Sequence, residues 1–290
     1  MSFLGGTTAP GRFIVWPLWA GLFLFLFWPT FLWMAERFES ADSFYSHGWL
    51  IPFASIWLVW RRREQLKNIP RAPSFAGLFL LVPAVVVHLA ATLLSIGVVS
   101  GFAMLAALYG LVWVLCGRRM LWELRFPLLF LLFMVPLPGV TLIALSFRMK
   151  ILAASMAAGV IRMMGIPVAQ AGSMLHVPGV SVIVDDTCSG LRSLISLIAL
   201  STLWTALLPA GSQRWKKAAI VVASIPIALG ANMIRIIALV LLSAIYGPYI
   251  AESFIHYGSG FVVFGVALAA LAWLSKAMEK WSLPSFVLHR

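Results

Sequence analysis

Long apolar runs dominate this sequence and set the first limit on its fold. From Phe13 onward, mostly hydrophobic stretches recur, each close to the ~20 helical residues that cross a lipid hydrocarbon core. The chain is 62% hydrophobic and has a mean hydropathy of +1.00, which is outside the range of a soluble domain. A backbone in lipid must satisfy its hydrogen bonds internally, and no alternating strand pattern is present. The runs therefore predict helices rather than a barrel.

The predicted fold is an all-α, polytopic transmembrane helical bundle that forms a single domain over residues 1–290. About eight spans are expected. They occupy residues 13–35, 46–60, 75–95, 97–116, 126–146, 189–209, 218–244 and 258–275. No small-residue cleavage site follows the first run, so we interpret this run as a transmembrane helix rather than a removed signal peptide.

Membrane orientation explains the net charge of +12 better than nucleic-acid binding does. No basic stripe interleaved with aromatic residues is present to bind a phosphate backbone. The Lys and Arg residues fall between the apolar runs instead, as in cytoplasmic loops. With both termini in the cytoplasm, 15 of the 21 basic residues are cytoplasmic, namely Arg12, Arg61, Arg62, Arg63, Lys67, Arg71, Arg118, Arg119, Arg125, Arg214, Lys216, Lys217, Lys276, Lys280 and Arg290. We predict a multi-pass protein of a bacterial inner membrane, embedded in the lipid bilayer and without a nucleic-acid partner.

Residues 146–188 are predicted to form an interfacial helix followed by an extracytoplasmic loop. Arg148, Lys150 and Arg162 alternate with apolar residues at helical spacing, which is typical of a helix lying in the membrane interface. These cations either contact lipid headgroups or help to receive an acidic substrate segment. The loop carries Pro and Gly and a β-branched run at 180–184, so a short hairpin or extended loop is expected before Cys188.

The predicted topology separates the two cysteines. Cys116 ends the fourth span on the inner side and Cys188 begins the sixth on the outer side, too far apart for a disulfide, which needs Cα atoms within about 7 Å. A helix N-terminus favours the thiolate, and Arg192 adds positive charge one turn after Cys188. Cys188 is thus a candidate nucleophile on the outer side. A small-residue start of a structural helix is the alternative interpretation.

The seventh span carries two strongly polar residues, Asn232 and Arg235, at a spacing that puts them on one face. Arg is costly within a membrane helix and is expected to face the bundle interior, although snorkelling to the outer headgroups is the alternative. Arg235 lies about 26 Å along the helix from its cytoplasmic end, near the depth expected for Cys188. His256, in the short connection before the eighth span, is expected at the same level. A lone interfacial His is also common as a solvated or packing residue.

Cys188, Arg235 and His256 together suit acyl transfer by a thiol. A neutral imidazole can take the thiol proton and later return a proton to the leaving amine. A guanidinium cannot act as a base, but it can stabilise the oxyanion of a tetrahedral intermediate. The pattern predicts cysteine-type acyl transfer at the outer face of the bilayer.

The ordered motifs resemble those of the exosortases, which belong to the exosortase/archaeosortase group of membrane transpeptidases. The resemblance covers nearly the whole chain and involves residues 188–193, 232–235 and the His256 segment, with further matches at 45–48, 126–127, 136–138 and 165–168. It implies that Cys188, Arg235 and His256 are catalytic. It also implies membrane-anchored, secreted protein substrates with a C-terminal sorting signal of the PEP-CTERM type, which consists of a Pro-Glu-Pro motif, a transmembrane helix and a basic tail.

By this resemblance, cleavage near the motif leaves an acyl-enzyme on Cys188, which an acceptor then resolves without a cofactor or a metal. The residues expected to bind the substrate are Ser189, Arg192, Asn232, Arg148 and Lys150. His176 in the outer loop is the main rival of His256 as the base. The resemblance favours positioning over catalysis for His47, and His88 is expected to be hydrogen-bonded within the bundle.

Other function classes fit the sequence less well. A transporter or flippase for exopolysaccharide intermediates would also be helical and basic inside, but such folds usually contain internal repeats, and none is evident. A metalloprotease would need HExxH-like ligand spacing, and a thiol oxidoreductase would need CxxC or a second outer cysteine. The sequence has neither, and transport is the alternative to the transpeptidase prediction.

Overall fold

Helices form almost all of the regular structure. The computed structural model describes the backbone of residues 11–40, 43–185, 189–209, 211–247 and 254–280, and their side chains except for 11–16, 254–257 and 279–280. Within these residues, five helices are long and apolar enough to cross a membrane, or six if one bent pair is a single span. The prediction of an all-α, polytopic transmembrane bundle is confirmed.

The chain forms two compact units, and the first comprises residues 1–40 and 51–136. Its helices are α1 (Gly11–Leu26), α2 (Trp28–Glu39), α3 (Leu50–Arg61), α4 (Arg63–Lys67), α5 (Leu78–Leu93), α6 (Gly97–Cys116) and α7 (Arg118–Phe130). Short 3-10 turns lie at Phe75–Gly77 and Leu131–Met134. The candidate spans of this unit are α5 with the turn before it, α6, and the pair α1 and α2, which is bent by 65°.

A buried hydrogen-bond network stabilises the bend between α1 and α2. His88 of α5 lies beside it, and its Nε2 donates to the carbonyl of Leu26, at the end of α1, over 3.0 Å. Because a carbonyl can only accept, the other ring nitrogen accepts from Ser100 Oγ at 2.8 Å, and Ser100 accepts from Thr30 Oγ1 of α2 at 2.5 Å. Each buried group thus has a partner, and the prediction that His88 is hydrogen-bonded is confirmed.

Two groups of basic residues lie at the same end of this first unit. The loop after α4 returns to the end of α6, where the N–H of Ala72 donates to Cys116 O (3.3 Å) and the N–H of Ser74 donates to Val114 O (3.1 Å). These bonds bring Arg71 close to Arg118, the first residue of α7. The positive-inside prediction requires both residues to lie on one side of the membrane, and the fold agrees with this.

The second unit comprises residues 41–50 and 137–290. It contains a 3-10 turn (Ser46–Trp49), α8 (Gly139–Met163), β1 (Ala169–Ala171), β2 (Met174–Val177), β3 (Val180–Ile183), α9 (Leu191–Leu207), α10 (Arg214–Tyr246) and α11 (Phe254–Lys280). The strands form an antiparallel meander in the order β1-β2-β3, so the predicted hairpin is present with one additional strand. Helices α8, α10 and residues 258–278 of α11 meet the criterion for a span, whereas the 17-residue α9 is shorter.

The small sheet packs its apolar face on α8 and α10. Buried side chains of β2 and β3, among them Leu175 and Val182, form one core with Ala157 of α8 and with Leu239 and Val240 of α10. Open sheet edges do not occur in lipid-exposed hydrocarbon, because their backbone groups would have no partners. The sheet therefore lies outside the hydrocarbon core, and it fixes residues 236–240 of α10 at that level.

The predicted span at 126–146 is wrong. Helix α7 ends at Phe130, a 3-10 turn follows, and α8 begins at Gly139. Pro136 and Pro138 lie between them; proline supplies no backbone N–H and disfavours a helical conformation in the preceding residue. The stretch predicted as an interfacial helix is the C-terminal part of α8, which has 25 residues.

Glycine permits the close approach of α5 and α6, which gives a stability prediction. A Cβ at Gly110 would lie 2.7 Å from the backbone N of Leu81, whereas a Cβ at Gly159 in α8 would meet nothing within 4 Å. We expect Gly110→Ala to cost about 1–3 kcal/mol through overpacking and Gly159→Ala to stabilise by up to about 1 kcal/mol through helix propensity. Thermal unfolding in detergent measures both; equal midpoints for the two variants would contradict the packing.

Candidate active site

The segment that follows Cys188 makes a tight turn into α9. Residues 186–188, and so Cys188 itself, lie outside the described residues. Gly190 has a φ of +77° and precedes the first helical residue, Leu191, whose N–H donates to Ser189 Oγ (3.3 Å). This left-handed conformation strongly favours glycine. The turn therefore depends on Gly190 and on the Ser189 side chain, which is 1% exposed.

Asn232 of α10 packs directly against this turn. A Cβ at position 190 would lie 2.9 Å from the side-chain amide of Asn232, which is itself 3% exposed. The start of α9 is thus fixed on α10 through a glycine contact that spacing alone does not predict. Both Ser189 and Asn232 are buried, and the substrate contact expected of them stays a prediction.

Arg235 lies one turn beyond Asn232 and faces α11. Its Nε donates to Ser259 Oγ at 3.0 Å. Both residues line a largely apolar groove of about 520 Å³ between the two helices, together with Ala231, Ile234, Ala238, Val262 and Val266. Helix α10 has 33 residues, or about 50 Å, so it is longer than a hydrocarbon core of ~30 Å. A helix that entered the hydrocarbon at Arg214 would leave it near Arg235, about 32 Å further along.

His256 belongs to α11 rather than to the connection before it. The helix begins at Phe254, four residues earlier than the predicted span, so His256 is in its first turn. His256 is three residues before Ser259, and residues at this spacing share a helix face. The backbone of His256 is thus one turn from the residue that Arg235 contacts; its side chain is outside the described part.

His47 forms a second polar contact on α9. Its Nδ1 lies 3.1 Å from Ser196 Oγ, and its ring stacks on Tyr45 with centroids 5.7 Å apart. The Tyr45 hydroxyl accepts from the N–H of Leu137 (3.3 Å), just before α8. Ser196 is one turn after Arg192, so His47 lies on the helix face that carries Arg192. Among the described side chains, none forms a hydrogen bond with the buried His47 Nε2.

Burial lowers the pKa of His47 to about 4. The ring is therefore neutral at neutral pH. This suits a residue that holds the 3-10 turn against α9. It agrees with the positioning role that the resemblance favours.

The remaining predicted residues lie on α8 and on the sheet. His176 of β2 pairs with Ser181 Oγ of β3 over 2.7 Å. Arg162 donates from Nε to Val168 O just after α8 (3.3 Å). Arg148 is exposed on α8, and Lys150 lies over the ring of Phe147. Both precede residues 153–161, the part of α8 that packs in the sheet core.

Among the described side chains, no group of three or more His, Cys, Asp or Glu residues could hold a metal ion. The polar residues that do come together are Ser189, Asn232, Arg235 and Ser259, with the backbone of His256 one turn away. Ser259 and Ser196 were not among the residues predicted from the sequence. The available signal was helical spacing, because each is within one turn of a residue already singled out.

A protein-family model described as transmembrane exosortase (Exosortase_EpsH) matches residues 33–273, most of the chain. The chain belongs to the transmembrane exosortase family. The resemblance stated from the motifs is thereby confirmed, and membership in the exosortases suggests a membrane transpeptidase or protease. No curated protein and no solved structure matches the chain.

The close contact between Gly190 and Asn232 predicts that a side chain at position 190 lowers the stability of this exosortase. Gly179 has a similar φ, +87°, but a Cβ there would meet nothing within 4 Å. Gly179→Ala should cost only the left-handed strain, about 1–2 kcal/mol, and Gly190→Ala should cost about 1–3 kcal/mol more through the clash. Thermal unfolding in detergent compares the two variants, and an equal loss would argue against the close contact.

The low pKa of His47 predicts a loss of stability in acid. The unfolded chain binds a proton at His47 near pH 6.5, but the folded chain does so only near pH 4, so stability falls as the pH drops through this window, by at most about 1.4 kcal/mol per pH unit. We expect His47→Gln to remove this acid-dependent loss of stability and His176→Gln to keep it. Unfolding midpoints measured from pH 7 to pH 4.5 test this; an unchanged pH dependence in His47→Gln would contradict the burial.

Proposed function

We propose that this exosortase is a membrane-embedded cysteine transpeptidase or endopeptidase. It cleaves the C-terminal sorting signal of secreted proteins through an acyl-enzyme on Cys188 and transfers the cleaved protein to an acceptor. The site faces the periplasm, with both termini in the cytoplasm of a bacterium. The single observation that carries the proposal is the family match over 33–273, which favours this activity over transport of exopolysaccharide intermediates.

The described geometry supports the proposed roles of the residues around the nucleophile. Cys188 is joined through Ser189 to Gly190, and Gly190 packs on Asn232, one turn from Arg235. Arg235 contacts Ser259, one turn from the backbone of His256. Contacts between α9 and α10 and between α10 and α11 therefore involve residues close in sequence to Cys188 and His256, which supports the proposal.

The proposed reaction has two stages. His256 accepts the thiol proton of Cys188, and the sulfur attacks the scissile carbonyl carbon of the substrate. The carbon–nitrogen bond breaks, the leaving amine takes the proton from His256, and a thioester forms. An acceptor nucleophile then gives its proton to His256 and attacks the thioester; the carbon–sulfur bond breaks, and the sulfur of Cys188 takes the proton back from His256 as a thiol. Arg235 stabilises the oxyanion in both stages.

The proposed substrate has a Pro-Glu-Pro motif, a transmembrane helix and a basic tail. Its helix would cross the same bilayer as α10, and its motif would then emerge on the side where Arg235 leaves the hydrocarbon. Arg192 is the basic residue nearest to Cys188 in sequence, and Arg148 and Lys150 are further candidates to bind the motif glutamate. Arg192 is half-buried at the start of α9, and this position makes it the strongest of the three candidates to bind the glutamate.

Processing of a secreted reporter with this C-terminal signal tests the function. Co-expression with the wild type should shorten the reporter, and Cys188→Ala, Arg235→Ala and His256→Ala should each leave it at full length, at least about 100-fold slower. Cys116→Ala, which changes a buried cysteine at the end of α6, should process normally. The readout is reporter size on a gel, with enzyme levels matched by immunoblot. Normal processing by Cys188→Ala would end the cysteine mechanism.

A further inference from the structure

Strand β3 is an edge strand whose outer side can be defined residue by residue. Among the described residues, it pairs only with β2, in the sheet order β1-β2-β3. The N–H of Val184 donates to Ser173 O at 3.0 Å, which marks this pair as hydrogen-bonded. Such pairs alternate along antiparallel strands, so the backbone groups of Val180 and Val182 also face β2.

The alternate residues of β3 face the other way. The N–H and C=O groups of Ser181 and Ile183 point away from β2, and among the described residues no backbone group bonds them there. Both residues are exposed, and Ile183 has 53% of its surface accessible. The two residues therefore present two donors and two acceptors along one open edge.

No described residue gives this edge the usual protection. Natural proteins shield edge strands with charges, prolines, bulges or a covering element, but β3 reads Val-Ser-Val-Ile. At the opposite edge, the side-chain amide of Gln170 in β1 donates hydrogen bonds to Ser155 Oγ of α8 and to the carbonyl of Gly172. Because the sheet lies outside the hydrocarbon core, the β3 edge is accessible to a segment of polypeptide.

The β3 edge is also covalently close to the proposed nucleophile. Only two residues separate Asp185, the last described residue after β3, from Cys188, and three residue steps cover at most about 11 Å. A peptide lying along β3 would thus reach the neighbourhood of the thiol. An edge strand elsewhere on the molecule would not have this relation to the site.

We propose that β3 is the docking strand for the substrate: an extended peptide segment pairs with the outward backbone groups of Ser181 and Ile183. Peptides are commonly recognised by strand addition to an exposed sheet edge, where main-chain hydrogen bonds supply affinity. This inference rests on the proposed function. It adds the manner in which the sorting signal is held.

The proposed motif is compatible with pairing on one side only. In a strand, the N–H and C=O of successive residues point to opposite sides. In Pro-Glu-Pro, the glutamate N–H and C=O can face β3 while both proline nitrogens, which have no hydrogen, face away. The motif therefore loses no donor on the bound side, and it prevents a further strand from pairing on the other.

Proline at position 183 tests the outward N–H without removing a bond to β2. Pro is tolerated in an edge strand where its nitrogen faces outward, so Ile183→Pro should fold, whereas Val182→Pro should disrupt the sheet. Ile183→Ala removes the side chain but keeps the N–H. We expect Ile183→Pro to process the reporter about tenfold more slowly than Ile183→Ala, the effect of one lost hydrogen bond. Equal rates in folded, equally expressed variants would overturn the proposal.

Cross-linking keeps the proposal testable if Ile183→Pro does not fold. In a Cys116→Ala, Cys188→Ala background, a cysteine replaces either Ile183 or Gln170, and the reporter carries one cysteine beside its motif. Under oxidation, the reporter should cross-link to the Ile183 variant and not to the Gln170 variant on β1. The reverse, or equal cross-linking, would overturn docking on β3 while leaving processing by the wild type intact. A reporter that the wild type does not process would instead overturn the proposed function.

Discussion

Every backbone donor and acceptor in the lipid core needs a partner within the protein, and most of this structure follows from that constraint. It forces the apolar runs into helices and keeps the three-stranded sheet out of the hydrocarbon. It also explains the His88 network, which satisfies the Leu26 carbonyl where the chain bends between α1 and α2. In this network, each buried polar group has a partner that the geometry supplies.

The second unit uses the same constraint to position the candidate site. Helix α10 is longer than the hydrocarbon core is thick, so its C-terminal part must leave the lipid. One side of that part packs on the sheet through Leu239 and Val240. Other residues of the same part contact the start of α9 through Asn232 and α11 through Arg235. One helix therefore fixes the level of the sheet, of the segment after Cys188 and of the first turn of α11.

Sequence periodicity and charge predicted the parts of the fold that depend on hydrophobicity. The spans at 75–95 and 97–116 correspond to α5 and α6, and the common side of Arg71 and Arg118 follows from charge. The span at 126–146 was wrong because hydropathy averages over Pro136 and Pro138, whereas helix geometry does not. The extent of α11 was also missed, because a polar first turn gives little apolar signal.

Contacts between distant segments were beyond the sequence argument. The packing of Gly190 on Asn232, the bond from Arg235 to Ser259 and the pairing of His47 with Ser196 each join separate elements. Their partners are small or hydroxyl residues; helical spacing can point to such a residue, but the contact that it makes depends on tertiary packing. Residue type and expected depth identified Arg235 and His256, because charged side chains are rare within the predicted spans and the chain has 5 His residues. The identities of Arg235 and His256 did not reveal the neighbouring residues that hold the helices together.

The central claim is that Cys188 carries the substrate as a thioester, and isolating that intermediate tests it most directly. Enzyme purified after brief incubation with the sorting-signal reporter should give, on proteolysis and mass spectrometry, a peptide containing Cys188 with the substrate fragment attached. Hydroxylamine should release that fragment. A turning-over enzyme with no adduct on Cys188, or with the adduct on another residue, would contradict the account.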